Sequence, residues 1–407
     1  VKSTRKKIRR SEKLAALAKP DRLPHVLLMV ETSGAAGRGI IEGIGRYALE
    51  KGPWSIEYEN RSLDSLPPEW LIRWRGDGII TRTVNARQAK ILQATKLPLV
   101  ELFGDPKISP IHVMSDYRRE GEMAVEHFWN RGLRRFAYFS YGTSWWVKIY
   151  SEGYREALKK RGCDCAIYIP PGRERNVTVW DESQLPRLID WLKSLPRPVG
   201  IFTPGDHHAM RLLNVCRELK IAVPEEMAIL GRSNDPVICS TLRPTLSSID
   251  LDARRVGYVA AELLDRRMNG EKTEDGVMFV PPSHVEIRQS TDLMVIDDAD
   301  LVRAMQFIRD YACKNIDVPR VAEEVGLSRR VLERRFQKHL GRSPNEEIIR
   351  VRIETAKMLL ARTDMSREAI ARRCGFDSPS YFSTAFHRLV GMKPQAYRRI
   401  RRVSRES

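Results

Sequence analysis

Two segments near the carboxyl terminus, "VPRVAEEVGLSRRVLERRFQKHLG" and "IARRCGFDSPSYFSTAFHRLVGMKP", carry one pattern twice. Ala371 and Gly375 stand 49 positions after Ala322 and Gly326, while Phe382, Phe386, Gly391 and Pro394 stand 50 after Leu332, Phe336, Gly341 and Pro344. In the first copy Val318, Val321, Ala322 and Val325 keep the i, i+3, i+4, i+7 spacing of one helix face, and Gly326 stands where that helix ends in a left-handed residue. Ser328 is placed to cap the next helix, whose inner side is Val331, Leu332, Phe336 and Leu340. The second copy adds one residue at its turn, with Ser378 as cap and Pro379 opening the helix. Between the copies "NEEIIRVRIETAKMLLART" has the period of a long connecting helix. The pattern predicts two helix-turn-helix units set by one rod.

Charge follows the same division. The chain of 407 residues carries a net +18. Residues 301–407 hold 24 Lys plus Arg against 12 Asp plus Glu, and residues 1–20 hold eight against one. Those excesses of +12 and +7 leave the remainder at −1. A near-neutral body with a basic end is expected where one part meets a polyanion and the other does not. Two second helices placed by one rod can enter successive major-groove segments on one face of double-stranded DNA. With its apolar side turned inward, the first such helix leaves Arg329, Arg330, Glu333, Arg334 and Arg335 outside. Arginine can grip guanine O6 and N7 or hold phosphates, and glutamate can accept from cytosine N4. The second offers Ser380, Ser383, Thr384 and His387, so the first is expected to supply most of the discrimination.

The stretches "LSRRVLERRF", "GRSP" and "GFDSPSYFSTAFHRLVGMKPQAYR" make residues 301–402 resemble the DNA-binding domain of AraC-type transcription regulators. The resemblance implies an operator as partner. It departs at Thr384, where many members carry an arginine.

From about residue 23 the texture is different. Short apolar runs such as "HVLLMV", "GDGIITR", "LPLVELF", "RRFAYFSY", "VGIFTP" and "MAILG" alternate with amphipathic segments such as "GRGIIEGIGRYALEKG", "SEGYREALKKRG" and "HAMRLLNVCRELK". Such alternation predicts β-α-β crossovers and parallel sheets. About 270 residues of it suit two similar lobes with a cleft. The expected fold is α/β, a two-lobed sensor followed by an all-α domain. Its expected parts are a basic arm over 1–22, a sensor over 23–290, a linker over 291–300, the paired helical units over 301–402 and a tail over 403–407.

Enzyme and cofactor motifs fail their tests. "GIGRYA" matches the dinucleotide fingerprint but sits inside a helix and not at a strand-to-helix turn. No G-x-x-x-x-G-K, H-E-x-x-H or G-x-S-x-G occurs, and His207 and His208, being adjacent, do not share a helix face for a metal. No catalytic residue, metal or cofactor is expected. Six scattered cysteines suit a reduced cytoplasm, and the apolar run Leu14–Ala18 is too short for a signal peptide or a membrane span.

Polar residues recur instead at strand ends, where parallel sheets bind ligands: Arg38, Asp116, Asp206, Asn234 and Asp235. Trp145 and Trp146 are candidates for a platform under a sugar ring. The stretches "VMSDYRREGEMAVEHFWNRGLRRFAYF", "VPEEMAILGRSND" and "LSSIDLDARRVGYVAAELLDRRMNGE" also resemble the effector domain of lactose-repressor-type regulators and periplasmic sugar-binding proteins. Two departures bear on the ligand: Tyr150 stands where an arginine is usual, and Ser233 where an aspartate is. A sensor of this kind before an AraC-type domain implies a sugar-responsive regulator and a homodimer, with RNA polymerase as a further partner and no membrane. The combination implies xylose or a related pentose as effector and activation of a pentose operon, with another sugar or polyol, or repression, left open.

Overall fold

The computed structural model describes residues 22–59, 65–82, 86–103, 111–170, 180–293, 298–363 and 365–399. The expected arm (up to residue 21), the middle of the expected linker (294–297) and the expected tail lie outside the described residues. Two compact units share the chain. The first runs to Asp116 and takes back Leu251–Ser283; the second is Tyr117–Asp250 with everything from His284.

The first unit is built on strands β1 (His25–Met29), β2 (Ser55–Tyr58), β3 (Gly78–Thr81), β4 (Leu99–Leu102), β5 (Ile111–Ser115) and β11 (Gly276–Val280), in the order β11-β5-β4-β3-β1-β2 with every pair parallel. Strand β1 reads as a continuous apolar run because helices cover both faces of such a sheet. Helices α1 (Ala35–Lys51) and α8 (Ala253–Met268) lie close together. A β-carbon on Gly43 would meet the Arg254 carbonyl oxygen at 1.9 Å, and one on Gly257 would meet that of Ile40 at 2.0 Å. Gly43 of the "GIGRYA" match therefore serves close helix packing, mid-helix, as its context predicts. Helix α2 (Ala86–Gln93) completes the unit.

In the second unit strands β6 (Phe136–Phe139), β7 (Ala166–Tyr168), β8 (Val199–Phe202), β9 (Met227–Arg232), β10 (Ser247–Asp250) and β12 (His284–Glu286) follow the order β12-β10-β9-β8-β6-β7, parallel except for β12 on β10. Its helices are α3 (Tyr117–Trp129), α4 (Trp145–Lys159), α5 (Leu185–Ser194), α6 (Asp206–Glu218) and α7 (Pro236–Thr241). The sheets meet the expectation of parallel α/β structure. Helix α4 starts earlier than "SEGY" suggests, so Trp145 and Trp146 form its first turn.

Beyond β12 the described residues hold no strand. Helices α9 (Ala299–Tyr311), α10 (Val318–Val325), α11 (Arg329–Leu340), α12 (Pro344–Arg362), α13 (Arg367–Arg373) and α14 (Pro379–Val390) form two modules. One core gathers Leu301, Ile308, Val321, Leu332 and Phe336; the other gathers Ile353, Ile370, Phe382 and Phe386. Helix α12 contributes to both, as a rod must, and opens with a reciprocal cap between Ser343 and Glu346.

The helical modules are fastened to the second sheet's domain by buried charge. Arg309 of α9 donates to Glu225 Oε2 at 2.8 Å and to the Val223 carbonyl at 2.9 Å, and its second terminal nitrogen lies 2.7 Å from Glu225 Oε1 in the same ion pair. Arg350 of α12 pairs with Asp292 and with buried Glu347.

Candidate functional site

The two turns form as their sequences dictate. Gly326 ends α10 at φ 69° and Gly375 follows α13 at φ 77°, both left-handed. Ser328 Oγ accepts from the Val331 N–H at 3.4 Å, and Ser378 Oγ accepts from the Tyr381 N–H at 3.1 Å. Full burial of Leu332 and Phe336 then fixes the rotation of α11, and burial of Phe382 and Phe386 fixes that of α14.

On the outer side of α11, Arg329, Arg330 and Arg334 are exposed, while Glu333 and Arg335 are half-buried. Arg329 Nε donates to Glu333 Oε1 at 2.8 Å, an exposed pair that holds weakly in water and that a phosphate or base can replace. Arg335 corrects the expectation of an outward row of five. Its guanidinium reaches Asp298 at 2.8 Å and Asp300 at 3.0 Å, because the start of α9 brings two carboxylates beside it. Arg330 and Arg334 have no hydrogen-bond or ion-pair partner among the described residues. On α14, Ser380, Thr384 and His387 are exposed and Ser383 is half-buried. The Ser383 hydroxyl donates to Pro379 O at 2.8 Å and that of Thr384 to Ser380 O at 3.2 Å, so both are satisfied on their own helix.

Of the residues expected to meet a small ligand, Arg38 and Asp116 lie in the first unit. Arg38, in the first turn of α1, donates to the carbonyls of Thr32 and Ser33 at 2.9 and 2.8 Å. Asp116 follows β5, and its N–H bonds Val280 O at 2.8 Å.

The other six lie at the carboxyl edge of the second sheet. Trp145 and Trp146 are half-buried on α4. Asp206 opens α6, fully enclosed, with one oxygen accepting from Ser248 Oγ at 2.6 Å and the other from the Asp235 N–H at 2.7 Å. Asn234, left-handed at φ 48°, donates to Asp250 at 3.0 Å and accepts from Arg288 at 2.8 Å. Asp235 caps α7 by accepting from Val237 N–H at 2.9 Å. Tyr150 is buried, its ring 4.0 Å beneath the Arg232 guanidinium, which is paired with Glu120 at 2.5 Å. Asp206 and Tyr150 are thus both buried and engaged inside the protein, as buried polar groups must find partners.

Sequence reasoning weighed His208 only as a metal ligand and missed Tyr141; the two rings stack at 4.0 Å beside Trp146. His208 is buried, both ring nitrogens lack a partner among the described residues, and burial lowers its pKa to about 3. His207, next to it, is exposed, as adjacent positions on a helix require. Arg232 and Arg288 were also missed; only their proximity in space gives them roles.

Burial raises the Asp206 pKa to about 6, outweighing the hydrogen bonds from Ser248 and the Asp235 N–H and the lesser influences of Cys239 and Arg288 that lower it. The folded state then binds the proton more tightly than the unfolded chain. Asp206 therefore favours folding below about pH 4, and that contribution of about 3 kcal/mol is lost as pH rises through about 6. Asp206→Asn can keep both contacts, accepting from Asp235 and donating to Ser248. Urea denaturation at pH 4.5 and 7 is expected to show the wild type losing about 2 kcal/mol relative to the variant on going to pH 7. Equal slopes would contradict this burial effect.

A model of periplasmic binding protein-like domains matches residues 125–291, and one of helix-turn-helix domains matches residues 321–400. The xylose operon regulatory protein of Haemophilus influenzae is 31% identical over 382 residues, 92% of this chain and 97% of that protein. The chain belongs to the xylose operon regulatory protein family. The family's member in Escherichia coli K12 is likewise 31% identical, over 92% of this chain and 97% of its own length. A solved structure of the xylose-binding transcription activator XylR matches with a TM-score of 0.78 at 29% identity, covering 93% of this chain and 99% of that one. The transcription regulator CcpA of Lactococcus lactis shares the fold, with a TM-score of 0.55 at 20% identity over 67% of this chain and 100% of its own. Like its relatives in the xylose operon regulatory protein family, this chain is a DNA-binding transcription regulator and not an enzyme. Among the described residues no helix is long and apolar enough to cross a membrane.

Proposed function

We propose that the protein is a cytoplasmic activator of a pentose-use operon, that D-xylose is its effector, and that it works as a homodimer in contact with RNA polymerase. The similarity over nearly the whole chain to xylose operon regulatory proteins carries this reading. The sensor spans 23–290, a linker 291–300 and the DNA-binding domain 301–402. Arg38, Asp116, Trp145, Trp146, Tyr150, Asp206 and the Asn234–Asp235 turn meet the sugar, with Asp206 and Tyr150 also holding their neighbours in place. A related pentose is the second reading, favoured by Ser233 and by Tyr150 at positions where relatives usually carry other polar side chains.

On DNA, Arg330 and Arg334 read bases or phosphates first, Arg329 and Glu333 join once their mutual pair opens, and Ser380, Ser383, Thr384 and His387 add weaker contacts. Arg335 steadies α11 from the side. A duplex selected by the full chain from a random library tests this directly. Arg334→Ala is expected to bind the selected duplex about 5- to 150-fold more weakly and to relax preference at one base pair. An unchanged ratio of specific to nonspecific affinity at fixed salt would remove Arg334 from base reading.

A further inference from the structure

All six cysteines are free thiols, and two that are 61 positions apart meet between the helical modules. Cys313 lies in the single turn Ala312–Lys314 after α9 and packs against the second module's core, which contains Cys374 at the end of α13. The two segments touch: a β-carbon on Gly375 would stand 3.1 Å from the Ala312 carbonyl oxygen and 3.3 Å from the Cys313 carbonyl carbon. Cys313 packs against the same core that holds Cys374, which brings the two thiols into one cluster. Arg352 stands beside them, fixed by bonds to Ala312 O at 2.8 Å and Ile316 O at 3.1 Å.

This setting separates the two sulfurs. The neighbouring Cys374 is the main influence holding the Cys313 thiol low, and Cys313, with burial, pushes Cys374 up. Cys313 is half-exposed and Cys374 is buried. An accessible thiolate with a second thiol poised behind it is the arrangement of a reactive and a resolving cysteine. The other four differ. Burial pushes the thiols of Cys165, Cys216 and Cys239 up, and Cys163 and Cys165 turn to separate carbonyls, those of Arg161 and Ala166.

We propose that Cys313 and Cys374 are a peroxide-reactive dithiol whose closure to a disulfide weakens DNA binding. The Cys313 thiolate attacks one oxygen of hydrogen peroxide, the O–O bond breaks, and the departing hydroxide takes a proton to become water. Cys374 then attacks the sulfenic sulfur as its own proton leaves, the S–O bond breaks, and a second water departs as the S–S bond forms. Two thiols are oxidised to one disulfide and one peroxide is reduced to two waters. Forming a bond of about 2.05 Å draws the Cys374–Gly375 turn toward the junction of α9 and α10. That turn sets α14 relative to the first module, so the spacing of the two reading helices changes. In a reducing compartment such disulfides are transient and suited to sensing.

The DNA effect rests on the reading of the helical domain given above, whereas the thiol chemistry does not. Reduced full-length protein is treated with stoichiometric hydrogen peroxide, alkylated with iodoacetamide and mapped by mass spectrometry. The first product expected is a Cys313–Cys374 disulfide. Cys374→Ser is expected to stop at a sulfenic acid on Cys313 that dimedone captures. Oxidised wild type is expected to bind the selected duplex about tenfold more weakly, equivalent to ~1.4 kcal/mol, with recovery in dithiothreitol and no response in Cys313→Ser. Wild-type Cys313 and Cys374 both alkylated after peroxide would overturn the dithiol, with no variant needed. A formed disulfide with unchanged DNA affinity would overturn its regulatory consequence. Failure of the reduced protein to select any duplex would count against the DNA reading alone, and the peptide map would still decide the chemistry.

Discussion

Arg309→Ala is expected to destabilise the protein by about 3–5 kcal/mol, far more than loss of a surface charge. Arg309 and Glu225 are almost fully enclosed, with side chains 5% and 4% exposed. Burial alone would lower the Arg309 pKa; the Glu225 charge and its hydrogen bonds outweigh that and raise it. Removing the guanidinium strands a carboxylate away from water and frees the Val223 carbonyl that it also held. The pair joins α9 to the domain of the second sheet, so the variant is also expected to lose firm docking of the helical modules. The urea midpoint of the full chain reports the first effect, and protease sensitivity of the chain near residue 298 the second. Replacing both partners by apolar residues, Arg309→Met with Glu225→Leu, is expected to recover most of the loss, since the penalty lies in the uncompensated charge. A double variant no more stable than the single one would show that the pair is not the cause.

Glu120→Ala is expected to cost a similar ~3–5 kcal/mol within the second unit. Arg232 is held there by the two hydrogen bonds it donates to Glu120, at 2.5 and 3.1 Å, with the face of Tyr150 on its guanidinium. Without the carboxylate a buried cation keeps only an aromatic face, which supplies on the order of 2 kcal/mol, less than the loss of its charge partner. Arg232 is the last residue of β9, and Ser233 and Asn234 follow it in left-handed conformations. The proposed effector contacts on that turn should therefore weaken as well. Glu120→Gln, which keeps an acceptor, is expected to lose less on both counts. Calorimetric titration with D-xylose beside denaturation of each variant checks this; equal stability of Glu120→Ala and wild type would contradict it.

Local and periodic features of this protein are plain in its sequence. Gly326, Ser328, Ser378 and Pro379 announce both turns because caps and left-handed glycines act over a few residues. The buried strands are legible for the same reason: β1, β3 and β8 are short apolar runs between amphipathic helices. Strands β11 and β12 were not read from the sequence, since they lie at sheet edges and are largely exposed, without a buried run to mark them. The charged anchors were not legible either. Glu120 with Arg232, Glu225 with Arg309 and Asp298 with Arg335 are 112, 84 and 37 positions apart. No periodicity links such partners, and an arginine on a helix looks the same whether it faces DNA or a carboxylate. That is why Arg335 was expected beside Arg334 on the outer face, and why nothing in the sequence shows that Asp206 ties two strand ends together.

Sugar binding by the sensor is expected to change DNA binding by the helical modules. Fluorescence anisotropy of the selected duplex with full-length protein, at one fixed salt concentration, measures that coupling without further assumptions. Saturating D-xylose is expected to change the dissociation constant by about 5- to 150-fold, a coupling of about 1–3 kcal/mol. An affinity that is the same with and without D-xylose, and with every other pentose, hexose and polyol tried, would contradict the account.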